Sequence, residues 1–276
     1  MTDLFRSVAI VRVGRGLRAS ERDDVATEEP LEVRVQGAPF AVIMRTPGAD
    51  CELAAGFLYA ERVLERPESL GTIGHCTDPD AEHPGNIVQV TLAGGVSAEV
   101  ARRLAERRQV AMTSSCGLCG RRTIESLRAE APAIPRAWQV PASLVAALPA
   151  LVREQQPAFD RTGGLHAAGL FTHDGRLVQL AEDVGRHNAV DKIIGRQIMA
   201  EALPLGDHLL CVSGRTSYEI VQKAWLAGIP LVAAVSAPSS LAVDLAEAAG
   251  ITLVGFVRGD RFNVYSHPER ILDVAS

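Results

Sequence analysis

Cys116 and Cys119 stand three residues apart in Thr113-Ser114-Ser115-Cys116-Gly117-Leu118-Cys119-Gly120, a stretch of small residues beside a dense run of arginines. Between residues 100 and 136 there are eight Arg, no Lys or Asp, and three Glu (Glu106, Glu125, Glu130), a local balance of 8 − 3 = +5 in a chain whose overall balance is 28 − 33 = −5. Such a field favours thiolate over thiol, and the thiolate is the form that attacks sulfur or binds metal. Three chemistries use this spacing. A structural zinc site needs a second pair of ligands at short spacing, and only Cys51, Cys76 with His75, and scattered histidines are available. A thioredoxin-like dithiol should open a helix after a strand, whereas the apolar run at 110–112 is very short and Gly117 and Gly120 favour a loop. Sulfur relay through a persulfide needs an exposed, low-pKa thiol on a mobile loop, which this composition supplies. Two buried structural cysteines would instead be set among Leu and Val.

Composition bounds the elements that must position these thiols. A chain of 276 residues with 47% hydrophobic residues can bury a substantial core, as one large domain or two smaller ones. No apolar run approaches the roughly 20 residues of a membrane span, so no membrane span is expected. The first residues lack the order of a secretory signal, and five sparsely spaced cysteines do not suggest a disulfide framework, which makes the cytoplasm the expected compartment. The mildly acidic total argues against nucleic-acid binding.

Residues 1–25 are charged and weakly patterned and read as a poorly ordered arm. Leu31, Val33 and Val35 alternate with Glu32 and Arg34, and a turn at 36–39 leads into an apolar run at 40–44, which predicts a hairpin. Asp50 is placed to cap a helix with Leu53, Phe57 and Leu64 on one face, running to about residue 65. A strand is expected around Ile87, Val90 and Leu92, and a basic helix over 97–108. Residues 1–110 thus read as a smaller α+β N-terminal subdomain.

In residues 111–276, a helix is expected over 123–129, a break at Pro132 and Pro135, and a helix over 143–156 interrupted near Pro149. Beyond Gly163, apolar runs at 165–171, 177–180, 209–212, 231–235 and 251–257 alternate with helices over 186–200, 218–227 and 239–249. That alternation predicts an α/β fold with a largely parallel or mixed sheet covered on both faces. Ligands in such sheets sit at the carboxyl ends of the strands. Four of those ends carry polar, glycine-containing text: 182–188, 213–217, 236–240 and 258–261. If the strands run the same way, Arg186, Arg215, Arg258 and Arg261 gather around backbone N–H groups suited to phosphate.

These segments carry a family resemblance. The cysteine motif, Gly163-Gly164-Leu165-His166-Ala167-Ala168, the string EDVGRHNAVDK at 182–192, Ser213-Gly214-Arg215 and residues 255–261 together resemble the formate dehydrogenase accessory sulfurtransferase family, FdhD/NarQ. The resemblance implies a cytoplasmic homodimer with a cytidine-deaminase-like C-terminal fold. It implies a sulfurtransferase in which Cys116, assisted by Cys119, carries a persulfide loaded by a cysteine desulfurase. The acceptor would be the molybdenum centre of a bis(molybdopterin guanine dinucleotide) cofactor destined for formate dehydrogenase. By the same carry-over Phe256, Val257, Arg258, Gly259, Asp260 and Arg261 contact the guanine dinucleotide. GDP is then expected to bind as an analogue, with Arg215 and His187 nearby and Asp260 reading the guanine edge. Two other readings stand beside it. A zinc deaminase would need H-x-E and P-C-x-x-C, but His166 is followed by two alanines and Cys116 follows Ser115. A non-catalytic chaperone that only binds the molybdenum cofactor and docks it would use the cysteines as contacts alone.

Overall fold

The computed structural model describes residues 4–14, 16–95 and 131–272. The expected helices over 97–108 and 123–129 lie outside the described residues, as do Cys116 and Cys119. Near the N-terminus, β3 (Glu29–Val35) and β4 (Ala38–Arg45) form the expected hairpin. Leu31, Val33 and Val35 are buried between more exposed neighbours, and Gln36 and Gly37 both have positive φ, as a two-residue turn of matching twist requires. β6 (Ile87–Leu92) pairs parallel to β3, and β5 (Leu70–His75), which the sequence did not reveal, pairs antiparallel to β6.

Across this sheet lies α1 (Asp50–Ala60). Asp50 is not its cap. Ala49 holds that place in the left-handed region, and the Asp50 carboxylate receives two hydrogen bonds from buried Arg45, at 3.0 Å from Nε and 2.9 Å from Nη2. A guanidinium that is 1% exposed must have a carboxylate partner, and that demand outweighs a capping bond. The helix also stops five residues early, where Arg62 takes φ 61° and the next N–H groups fold back onto the Leu58 carbonyl.

The expected disordered arm is an ordered ribbon, β1 (Phe5–Gly14) paired antiparallel with β2 (Leu17–Ala26). Most of its described side chains face solvent, so no hydrophobic alternation marked it. Arg161 holds its base, 3.8 Å over the Phe5 ring and 2.6 Å from Asp24.

The larger sheet contains β8 (His166–Thr172), β9 (Leu177–Asp183), β10 (His208–Val212), β11 (Leu231–Ala234), β12 (Thr252–Arg258) and β13 (Arg261–Ser266), in the order β13-β12-β11-β10-β8-β9. It is mixed rather than largely parallel. Only β10–β11 and β11–β12 pair parallel, because the short β8–β9 and β12–β13 connections can join only antiparallel neighbours. Since β8 is antiparallel to both β9 and β10, the strands β9, β10, β11 and β12 nonetheless run the same way. Their carboxyl ends share one edge of the sheet.

Both faces of this sheet are covered. Ala168, Leu170, Leu210, Val212 and Val232 join a core with α4 (Arg186–Met199), α5 (Tyr218–Leu226) and α6 (Ser240–Ala249). Ala167, Phe171, Leu209, Cys211 and Leu231 face α2 (Ala142–Arg153), whose Val145, Leu148 and Val152 are buried against them. Pro149 lies inside α2 without the expected interruption. The first core also takes in Leu31, Val33 and Leu53, so it is continuous with the N-terminal sheet. At the seam α1 and α4 touch backbone to backbone. A Cβ on Gly56 would sit 2.0 Å from the Asp191 carbonyl oxygen, and one on Gly195 would sit 1.7 Å from that of Glu52.

Candidate functional site

The string at 182–192 divides into residues that lock the fold and residues that face the shared edge. Asp183, fully buried at the end of β9, accepts hydrogen bonds from the Gly185 N–H (2.8 Å), the Asn188 amide (2.9 Å) and the Thr46 N–H (3.2 Å). Lys192 lies 2.8 Å from the same carboxylate and donates to the Thr46 and Glu182 carbonyls. Glu182 accepts from the N–H groups of Ala158 and Phe159, at the start of α3 (Pro157–Thr162), and so caps that short helix from outside. Asp191 is occupied by Lys223 at 2.7 Å. Arg186 and His187 are left at the edge.

Contacts between successive strand ends make that edge continuous. His166, opposite Asp183 at the start of β8, has its ring 3.2 Å from where a Gly214 Cβ would stand. Ser213 donates its N–H to the Ala167 carbonyl and accepts the Ala167 N–H on its hydroxyl. Thr216 pairs with Pro238 as a parallel bridge, and the Phe256 N–H reaches the Ser236 carbonyl at 3.2 Å. Phe256 is a non-glycine residue at φ 54°, at a bulge of β12, and is 39% exposed. Strain of this kind persists where the surroundings over-determine it, and an exposed aromatic held this way offers a stacking face. Val257 is buried, while Arg258, Gly259, Asp260 and Arg261 form the exposed tip of the β12–β13 hairpin.

The edge is electropositive in two ways. α4, α5 and α6 all begin here, and their N-terminal N–H groups carry partial positive charge. Among the described residues, Arg186, Arg215, Arg258 and Arg261 make no ion pair with a carboxylate, and the buried Nε of Arg186 has no hydrogen-bond partner. Arg215 and the segment at 236–239 lie next to each other in the chain of contacts. Arg258 and Arg261 stand farther along, with β12 two strand spacings, about 10 Å, from β10. That separation suits a ligand with several phosphates more than a single small anion.

Two histidines sit in this field. His187 is held down to about 3, first by burial and then by Arg186, Lys223 and His166. His166 is lowered for the same reasons, burial first and then Arg186. Burial and the neighbouring cations thus favour the neutral imidazole at both positions. The sequence did not single out Glu219. Its carboxyl is 3.6 Å from His187 Nε2, and burial pushes it up to about 7. Its signal was available, since Glu219 and Lys223 are spaced i, i+4 in a helix whose other residues Ile220, Val221 and Ala224 are apolar. On the α2 face of the same edge a cleft of about 470 Å³ is lined by Phe159, Leu165, His166, Val184, Cys211 and Ser213, among others. Cys211 is no nucleophile there, because burial pushes its thiol up to about 12.

The fold and this edge define an α/β protein with an anion-attracting, aromatic-flanked site at the carboxyl ends of a mixed sheet. The chain belongs to the FdhD/NarQ family, whose sequence profile matches residues 26–272. A relative from Anaeromyxobacter dehalogenans (strain 2CP-C), named sulfur carrier protein FdhD, is 51% identical over 91% of this chain and 89% of its own. One of the same name from Streptomyces coelicolor is 48% identical over 95% of this chain and 94% of its own. A crystal structure from Desulfotalea psychrophila, assigned as a formate dehydrogenase accessory protein, superposes with a TM-score of 0.77 at 26% identity, covering 98% of this chain and 100% of that one. Among the described residues no helix is long and apolar enough to cross a membrane.

Proposed function

We propose that the protein is a sulfurtransferase that accepts sulfur as a persulfide on Cys116 and delivers it to a bis(molybdopterin guanine dinucleotide) molybdenum cofactor, its substrate, on the way to formate dehydrogenase. The observation that supports the acceptor site most directly is the strand edge itself: three helix N-termini, arginines without carboxylate partners, and an exposed Phe256 on strained backbone. Those groups fit a guanine dinucleotide. Arg258 and Arg261 suit phosphate oxygens, the Phe256 ring suits a purine face, and Asp260 can accept from the guanine N1–H and amino group. In the loading step the Cys116 thiolate attacks the outer sulfur of a cysteine desulfurase persulfide. A new S–S bond forms, the donor's S–S bond breaks, and the donor thiolate leaves. The arginine field around the motif supports the thiolate, and Cys119 resolves or shields the product. The reading includes a homodimer and a cytidine-deaminase-like C-terminal half, and the mixed sheet with helices on both faces supports the second of these.

The test has two arms. After incubation with a cysteine desulfurase and cysteine, intact mass should show one added sulfur that Cys116→Ala loses, and that variant should fail to mature formate dehydrogenase while staying folded. Wild type that supports maturation but never gains sulfur would leave a cofactor-docking chaperone in place of a sulfurtransferase. In calorimetry, GDP should bind wild type, and Arg258→Ala or Arg261→Ala should weaken it by roughly tenfold, since a charge-assisted contact is typically worth about 1.5–3 kcal/mol. Equal affinity in all three proteins moves the site elsewhere.

A further inference from the structure

Just beneath the arginine-lined edge, the first turns of α4 and α5 bury a small polar cluster for which the reading above has no use. His187 Nε2 lies 3.0 Å from Ser217 Oγ and 3.6 Å from Glu219 Oε2. That carboxylate oxygen is buried and has no hydrogen-bond partner, while Oε1 is 3.4 Å from Lys223 Nζ. Ser217 occupies the N-cap of α5, yet its hydroxyl makes no capping bond; Ser239, in the same place on α6, accepts from the Ala242 N–H. The Ser217 side chain is turned instead to the imidazole. An orphaned buried carboxylate oxygen beside an imidazole nitrogen is a site one proton short, since a proton gained by either group gives the other a partner.

We infer that occupation of the arginine-lined edge by a phosphate-bearing ligand is coupled to proton uptake by the His187–Glu219 pair. The inference rests on the ligand reading of that edge. Arg186 precedes His187 in the chain and faces the edge, so a polyanion bound there neutralises the nearest cation and adds negative charge close to the imidazole. Other groups also face the pair. Lys223 on α5 and Asp191 on α4 hold each other at 2.7 Å, with burial pushing the Asp191 carboxyl up to about 6, His166 on β8 is lowered by burial and by Arg186, and the charge of Glu61 just past α1 raises Glu219. In the ligand-free protein burial keeps His187 neutral and keeps Glu219 partly protonated near neutral pH. An arriving anion raises both groups, so the sign is fixed: protons are taken up, and binding strengthens as pH falls.

GDP is titrated into wild type and Glu219→Gln, in two buffers of different ionisation enthalpy, across about pH 6 to 8. In wild type the binding heat should depend on the buffer, and Kd should fall by up to about tenfold per unit decrease in pH. The terminal phosphate of GDP exchanges its own proton equally in both proteins, so the readout is the difference between them. Glu219→Gln should lose the pair's uptake and show only the proton exchange of the phosphate itself, which a cationic site drives toward release, so its binding should strengthen less than wild type's as pH falls. Equal proton uptake in the two proteins, or an affinity with the same pH slope in both, overturns the coupling while leaving the site intact. Failure of GDP to bind either protein at any pH overturns the reading of the edge, and the coupling with it.

Discussion

Two buried polar clusters sit one helix apart at the same sheet edge and are built to opposite standards. At the β9–α4 junction, Asp183 receives the Gly185, Asn188 and Thr46 groups and pairs with Lys192, so the buried charges are compensated and hydrogen-bonded. At the start of α5, Glu219 Oε2 and Thr216 Oγ1 are buried with no partner, and Ser217 gives up its capping bond. Satisfied networks hold a fold together, whereas unsatisfied ones cost stability and persist where something else uses them. The comparison separates scaffold from site within one stretch of sequence.

The largest effect should come from the satisfied cluster. Asp183→Ala leaves the Lys192 ammonium, 3% exposed, without its carboxylate, and should cost about 3–5 kcal/mol in denaturant unfolding. A loss below about 1 kcal/mol would mean that the cluster is less dry than its burial suggests.

A smaller effect tests the unsatisfied cluster through pH. His187 is depressed from 6.5 to about 3, so the unfolded chain binds the extra proton and stability is lost as pH falls below 6.5. Glu219 is raised from 4.5 to about 7, so the folded chain binds the extra proton, and its stabilisation is lost as pH rises through about 7. Between 4.5 and 6.5 the two slopes oppose and cancel. Glu219→Gln removes one of them, and its stability should then rise relative to wild type by about 1.4 kcal/mol per pH unit across that window. Parallel stability profiles for the two proteins would show that the pair does not titrate together.

The smallest effect compares two serines in equivalent places. Ser239→Ala should cost about 1 kcal/mol, the usual worth of an N-cap bond. Ser217→Ala has no such bond to lose and should cost less, while altering GDP affinity. Equal costs measured by thermal unfolding would erase the distinction between the two helix starts.

Much of this was legible in the sequence where burial imposes a period. The hairpin of β3 and β4, the helices α4, α5 and α6, and the polar ends of β9 to β12 all follow from alternation and turn chemistry. The ribbon of β1 and β2 was not, because its described side chains mostly face water and carry no apolar rhythm. Strand direction was hidden as well: β8 lies between β9 and β10 by pairing alone, and apolar content does not report which way a buried strand runs. At the site, Arg215, His187 and residues 258–261 were readable as polar text at strand ends, while Phe256 and Val257 entered only through the family resemblance. Glu219 carried only the weak signal of its i, i+4 spacing from Lys223, since a charged residue inside a helix ordinarily reads as solvated surface. Within 182–192 residue type alone does not divide the string, because a carboxylate that locks a fold and one that meets a ligand are the same residue type.

The glycine contact between α1 and α4 gives the site a fixed origin of coordinates. With no Cβ on Gly56 or Gly195, the helices meet where any side chain would collide with a carbonyl oxygen. A slide of one residue along either helix would put a side chain into that gap, so the seam works as a keyway with a single stop. The carbonyl that Gly56 meets belongs to Asp191, which holds Lys223, which in turn lies against Glu219. The height at which His187 and Arg186 stand on the sheet edge is thus indexed from the N-terminal half of the chain, and a cut between the halves would leave the edge with no reference point.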